Sequence, residues 1–216
     1  MNARRTIFVL VFVVMATFAT SDVRADFTFG EPVTVGAGIQ GVDDIGCFSR
    51  DGLEMYIDSS RGGGQGGYDL WILRHASAGE DWGPPENLGA AVNSPYNDLL
   101  ASISPDGLAL YFTSDRPHGD NATYDVFVTT RSSKNDSWGQ AVRMGAEING
   151  SGGTNFGVWI SPDNLELYIT SSRSGGYGNA DIYVSRRATA NDPWDNAVNL
   201  GPVVGTTYSE TLFSLS

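Results

Sequence analysis

The chain has 216 residues and carries 25 aspartates and glutamates against 13 lysines and arginines, a formal charge of −12 at neutral pH. That balance excludes nucleic acid and anionic lipid as natural partners, because both require a basic surface; it suits a cationic partner, a neutral glycan or solubility alone. The single cysteine, Cys47, excludes an intramolecular disulfide and, with nothing basic beside it, reads as a small buried hydrophobe.

Taken in chain order, Arg4 and Arg5 precede an unbroken apolar run from Thr6 to Ala19, and Val23-Arg24-Ala25 offers small residues for cleavage. Residues 1–25 are predicted to be a secretory signal peptide, the run being shorter than the about 20 residues of a membrane span. The alternative is an uncleaved anchor. Cleavage removes Arg4, Arg5 and Arg24 from the 13 basic side chains and Asp22 from the 25 acidic ones, leaving 10 against 24. The mature chain is expected to have no membrane span and a periplasmic or extracellular destination.

The remainder, 26–216, is a tandem repeat. Trp82, Trp138 and Trp194 recur at equal intervals, and Asp69, Asp125 and Asp181 keep the same interval, as do Gly89, Gly145 and Gly201. Asp51, Asp106 and Asp163 are spaced 55 and 57, as are Arg61, Arg116 and Arg173. Each unit reads as four strands. A short first strand (Gly46-Cys47-Phe48, Ala101-Ser102-Ile103, Val158-Trp159-Ile160) meets an Asp-Gly or Asp-Asn turn, a strong hairpin signal. The second (Leu53 to Ile57, Leu108 to Phe112, Leu165 to Ile169) and third (Leu70 to Leu73, Val126 to Thr129, Ile182 to Ser185) are apolar enough to be covered on both faces. The fourth follows each tryptophan and ends near the glycine. No segment has sustained helical periodicity. Four-stranded units of about 50 residues that bury their faces by stacking predict an all-β fold, a β-propeller of four-stranded antiparallel blades. Blades are expected at 43–97, 98–154 and 155–209, with partial flanking strands at 27–36 and 210–216.

Ser104-Pro105-Asp106-Gly107, an apolar tyrosine strand, Ser-x-Arg, a glycine-bearing turn and Asp-Ile-Tyr (Asp181-Ile182-Tyr183) together resemble the WD40-like β-propeller repeat of the TolB type. The resemblance covers roughly residues 29 to 216. It implies a bacterial exported propeller that acts as a non-catalytic platform for protein or ligand binding. A recurring Trp-Asp dipeptide, as in true WD repeats, and its Gly-His partner are absent. TolB proteins also carry an N-terminal α/β domain that nothing here supplies, so their partners are not carried over.

Propellers generally have four or more blades, whereas this chain opens on an outer strand (Phe29 to Gly36) and closes on an inner one (Leu212 to Ser216). The expectation is further blades beyond Ser216. Self-association to close the ring, or a four-bladed ring with one incomplete blade, are the alternatives.

Six residues before each turn serine stands a polar residue: Asp43, Asp98, Asn155 and Glu210. In a propeller this position lies at one mouth of the central channel, where a ring of acceptors could bind a ligand such as a cation or basic peptide. The competing structural reading pairs each with the Ser-x-Arg arginine, Arg61, Arg116 or Arg173. Gly63 to Asp69 and Gly175 to Asp181 resemble a calcium-binding GGxGxD repeat, but the aspartate falls one residue late, and these are read as hairpin loops. The three tryptophans are read as packing between blades, with sugar stacking as the alternative.

For an enzyme the materials are sparse. His75 and His118 are read as loop residues outside any repeated slot, and there is no Gly-x-Ser-x-Gly elbow, His-Glu-x-x-His or phosphate loop. No cofactor, metal or catalytic residue is assigned. A propeller-based carbohydrate-active enzyme, a glycoside hydrolase or lyase, is the alternative function, since carboxylates are abundant although no pair stands out. The sequons Asn121-Ala122-Thr123 and Asn135-Asp136-Ser137 are incidental in a bacterial protein.

Overall fold

The computed structural model describes residues 39, 43–77, 80–117 and 124–211. The expected signal peptide, the flanking strand at 27–36, residues 212–216 of the one expected at 210–216, His118 and the sequon at Asn121 lie outside the described residues. Within them the chain forms three four-stranded antiparallel sheets, each in chain order. The first holds β1 (Asp43–Phe48), β2 (Glu54–Ser59), β3 (Asp69–Arg74) and β4 (Glu86–Asn87). The second holds β5 (Asp98–Ile103), β6 (Ala109–Ser114), β7 (Asp125–Thr130) and β8 (Val142–Arg143). One four-residue helix, α1 (Ala146–Asn149), precedes the third sheet of β9 (Asn155–Ile160), β10 (Glu166–Ser171), β11 (Asp181–Arg186) and β12 (Val198–Asn199). No helix among the described residues is long and apolar enough to cross a membrane.

Each inner strand begins three residues earlier than its apolar stretch suggests, because the polar residue at its start is held in the sheet by side-chain bonds. These inner strands also bulge. Register shifts fall between Ile45 and Cys47, between Leu99 and Ser102, and opposite Thr170/Ser171. A bulge bends and twists its strand locally, and here the bent strands are those that pack from sheet to sheet, β1 on β5 and β5 on β9.

The first hairpin is closed by a longer turn than a two-residue loop. Gly52 N–H donates to Ser49 O at 2.9 Å, and the same bond joins Gly107 to Ser104 and Asn164 to Ser161. The aspartate does not take the left-handed conformation; the residue after it does, at φ 72° for Gly52, 75° for Gly107 and 65° for Asn164. Asp106 instead accepts from Ser104 Oγ at 2.5 Å and from Leu108 N–H at 3.0 Å. Asp51 and Asp163 repeat that arrangement. The motif is thus a side-chain-stitched turn, with glycine or asparagine where φ must be positive.

Sheet faces are buried against one another. Between the first two sheets, Tyr56, Leu70 and Ile72 meet Ala101, Ile103, Leu110, Phe112, Phe127 and Trp138. Between the second and third, Tyr111 and Val126 meet Val158, Ile160, Leu167, Ile169 and the rim of Trp194. Each fully buried leucine or isoleucine in these seams contributes about 1.5–3 kcal/mol. Trp138 and Trp194 each stand edge-on to the tyrosine of the preceding sheet, Tyr56 and Tyr111, at 6.3 Å between ring centroids. Packing is therefore the role of both. The two-residue fourth strands end in a turn that two asparagines fasten. Asn93 accepts from Leu70 N–H at 2.8 Å and donates to Leu70 O at 3.0 Å, and Asn149 does the same for Val126 at 2.7 and 3.1 Å. In the third copy Gly205 stands in their place.

Candidate functional site

Of the four candidate positions, Asp43, Asp98 and Asn155 are the first residues of β1, β5 and β9, and Glu210 donates its N–H to Ala180 O at 2.9 Å. Arg61 donates to Asp43 from the same sheet. Arg116 Nη2 lies 2.5 Å from Asp98 Oδ1, while Asp98 Oδ2 accepts from Ser94 N–H at 2.7 Å and Ser94 Oγ at 2.9 Å. Asn155 accepts from Arg173 at 3.0 Å and donates to Asp125 at 3.2 Å. Three of the four are thus engaged by the Ser-x-Arg arginine of their own sheet, and Asp43, Asp98 and Asn155 are all buried. Those arginines also lie over rings: Arg61 over Trp71, Arg116 over Phe127, Arg173 over Tyr183. Glu210 differs. It caps Thr206 through Oε1, and its buried Oε2 has no hydrogen-bond partner among the described residues.

The glycine-rich loops are organised by their own aspartates. Asp69 Oδ2 accepts from Gln65 and Gly66 N–H at 2.8 and 3.3 Å, and Asp181 accepts from Tyr177 and Gly178 N–H at 2.9 and 3.2 Å. Among the described residues no group of three or more metal-ligating side chains converges.

A cleft of about 330 Å³ opens between the inner ends of the first two sheets. Asp44 of β1 and Asp58 of β2 form one wall, Leu99 and Leu100 of β5 the other, with Tyr68, Asn97 and Tyr124 around the rim. Asp44 and Asp58 stand directly opposite one another across the β1–β2 ladder. Burial is the main cause that pushes the Asp58 carboxyl up to about 7; the bond from Leu100 N–H opposes it, and the charges of Asp44 and Asp43 add to it. Leu100 is held at φ 54°, a conformation that costs a bulky residue about 1–3 kcal/mol, and in it its N–H reaches Asp58 Oδ1 at 3.0 Å. At the rim, Asn97 donates to Asp115 at 2.8 Å and accepts from Tyr68 N–H at 3.0 Å, while burial, followed by the neighbouring Asp115, raises the Tyr124 phenol.

Compared with known proteins, no family model matches the chain and no curated protein matches it. Among solved structures, a Hadza microbial sialidase is 9% identical with a TM-score of 0.51, over 71% of this chain and 36% of its own. A putative TolB from Agrobacterium tumefaciens is 21% identical with a TM-score of 0.45, over 69% of this chain and 43% of its own. TolB from Acinetobacter baumannii is 19% identical with a TM-score of 0.44, over 69% and 30%. The fold is a β-propeller. This chain spans less than half the length of each of these propeller proteins.

Two residues change their reading. His75 does occupy a repeated slot, the one that Arg131 and Arg187 fill at the interval kept by the tryptophans. Its Nε2 meets Gly52 O at 2.6 Å, as Arg131 Nε meets Gly107 O at 2.7 Å and Arg187 Nε meets Asn164 O at 2.9 Å. It stacks on Trp82 at 4.0 Å, as the arginines lie over Trp138 and Trp194 at 4.4 and 4.1 Å. The signal was the repeat interval itself. Sequence reasoning misses Asp58 because the apolar stretch of its strand stops at Ile57, whereas the strand runs on to Ser59. Its signal was Thr113 and Thr170 at the matching positions.

Proposed function

We propose that the chain is an exported, non-catalytic β-propeller scaffold that binds a protein or small ligand at the inner ends of its sheets. One observation carries this reading. The charged residues that recur in each sheet are consumed in holding that sheet together, whereas the cleft at the inner ends holds Asp44 and Asp58, at positions where the other two sheets carry uncharged residues. One wall is acidic, the other apolar, and its rim holds two tyrosines and an asparagine, a composition suited to recognition. Asp43, Asp98 and Asn155 serve the scaffold by holding arginines, and Glu210 is the mouth position we assign to ligand contact, because it alone of the four is held by no arginine among the described residues. The predicted signal peptide and the resemblance to TolB-type repeats support a periplasmic or extracellular setting.

The test is a screen of the purified mature chain on peptide and glycan arrays, together with an assay for reducing-end release. Saturable binding without product is expected. Turnover of any bound glycan would replace the scaffold with the carbohydrate-active enzyme.

A further inference from the structure

We infer that the cleft between the first two sheets takes the cationic head of a basic side chain, a guanidinium or ammonium, between Asp44 and Asp58. This rests on the binding-scaffold reading and gives it a ligand chemistry.

The argument starts from the repeat. Position 58 is threonine in the other two sheets, Thr113 and Thr170, and position 44 is apolar, Leu99 and Phe156. Both departures are to aspartate, and both land on residues directly opposite in one ladder. Like charges placed opposite each other destabilise a strand pair, so packing alone gives no reason for the pair. Four other acids of these sheets are given a cation, Arg61 for Asp43, Arg116 for Asp98, Arg143 for Asp125 and Arg131 for Glu54, while Asp69 and Asp181 are each bonded by two loop N–H groups. No salt bridge among the described residues reaches Asp44 or Asp58.

The shape of the site narrows the occupant. Leu100, strained into positive φ, spends its N–H on Asp58 Oδ1 and leaves Oδ2 without a protein bond among the described residues. A cleft of about 330 Å³ suits the head of one side chain rather than a folded element. Tyr68 and Tyr124 stand at its rim, and aromatic groups favour an organic cation. This protein already lays Arg61, Arg116, Arg131, Arg173 and Arg187 over rings. Calcium would require six to eight oxygens, more than two carboxylates and one amide supply. A net charge of −12 draws basic ligands towards the protein from a distance.

The experiment titrates a fluorescently labelled tetra-arginine peptide into the mature chain, with tetra-citrulline as its neutral counterpart of similar size. Saturable binding of the arginine peptide is expected, weakened at least tenfold in D58T, with no binding of the citrulline peptide. D58T installs the residue that the second and third sheets carry at that position. D44N, at an exposed site, should weaken binding several-fold and guards against a folding defect in D58T. Because the cation requires ionised Asp58, wild-type affinity should rise with pH through neutrality and D58T should lack that rise. Equal affinity of D58T, D44N and wild type would overturn the inference as attraction to net charge alone. Displacement of the peptide by micromolar calcium would overturn it in favour of a metal. If arrays show neutral peptides or glycans bound while tetra-arginine is not, this inference falls and the scaffold stands; if nothing binds at all, both fall.

Discussion

At the seam between the first and second sheets, Arg131 crosses to Glu54 with a paired contact, 3.1 and 2.7 Å, and both side chains are buried. At the next seam Ala109 stands where Glu54 does, and Arg187 turns back to Asn164 of its own sheet at 2.9 and 2.6 Å. Both arginines lie over their tryptophans, and both seams share the bond from the outer strand to the preceding turn, Ala141 N–H to Ala91 O and Ala197 N–H to Glu147 O, each 2.8 Å. Packing and backbone bonds therefore suffice to hold two sheets together. The ion pair across the first seam is an addition that fixes one arginine against one partner.

The sharpest way to break this comparison is E54A. It strands the buried Arg131 charge and should cost about 3–5 kcal/mol in urea unfolding, most of it recovered in E54A/R131M. R187M at the second seam, which removes bonds within one sheet, should cost about 1–2 kcal/mol. Equal losses would mean that the two seams are not different in kind. Next in size are N93A and N149A. Each leaves a buried amide and carbonyl without their side-chain partner and should cost about 1–3 kcal/mol, measurable as lost amide protection at Leu70 and Val126.

A pH-dependent effect comes from Asp58. Its carboxyl is raised from 3.8 to about 7, so the folded state favours the protonated form. Stability from this group is complete below its unfolded value and is lost as pH rises towards about 7. D58T should therefore flatten the decline of the thermal midpoint between pH 4 and 7. The smallest concerns His75, raised above its ordinary value by its bonds to Gly52 O and then Glu80 O. Its contribution is complete below the ordinary value and fades as pH rises through the folded one. H75R, which restores the residue type of the other two sheets, should remove that fading from the midpoint measured between pH 6 and 8.

The fold was legible because its signals are positional. Equal intervals between tryptophans, aspartates and glycines survive without any knowledge of contacts, and a Ser-x-Asp turn completed by glycine or asparagine announces each hairpin. The arginine partners of Asp43 and Asp98 were also foreseeable, since charge and repeat agree. The cleft was not. Asp58 follows an apolar run and looks like its end, and only the ladder register reveals Asp44 across from it. Nor does the residue type of Leu100 signal positive φ; the bulge that imposes it depends on pairing between strands.

The arginine of each sheet has a wider consequence. Arg116 donates not only to Asp98 but to Val92 O at 2.7 Å, and Arg173 to Ile148 O at 2.5 Å. Val92 and Ile148 belong to the turns that leave the preceding sheet. The link between sheets is therefore stitched on both sides, to Leu70 behind it through Asn93 and to Arg116 ahead. A portable module cut at residue 97 would sever those stitches. Anyone transplanting, duplicating or permuting a unit of this protein should cut in the exposed glycines at 62–64 instead, so that each linker travels with both sheets' halves that clasp it.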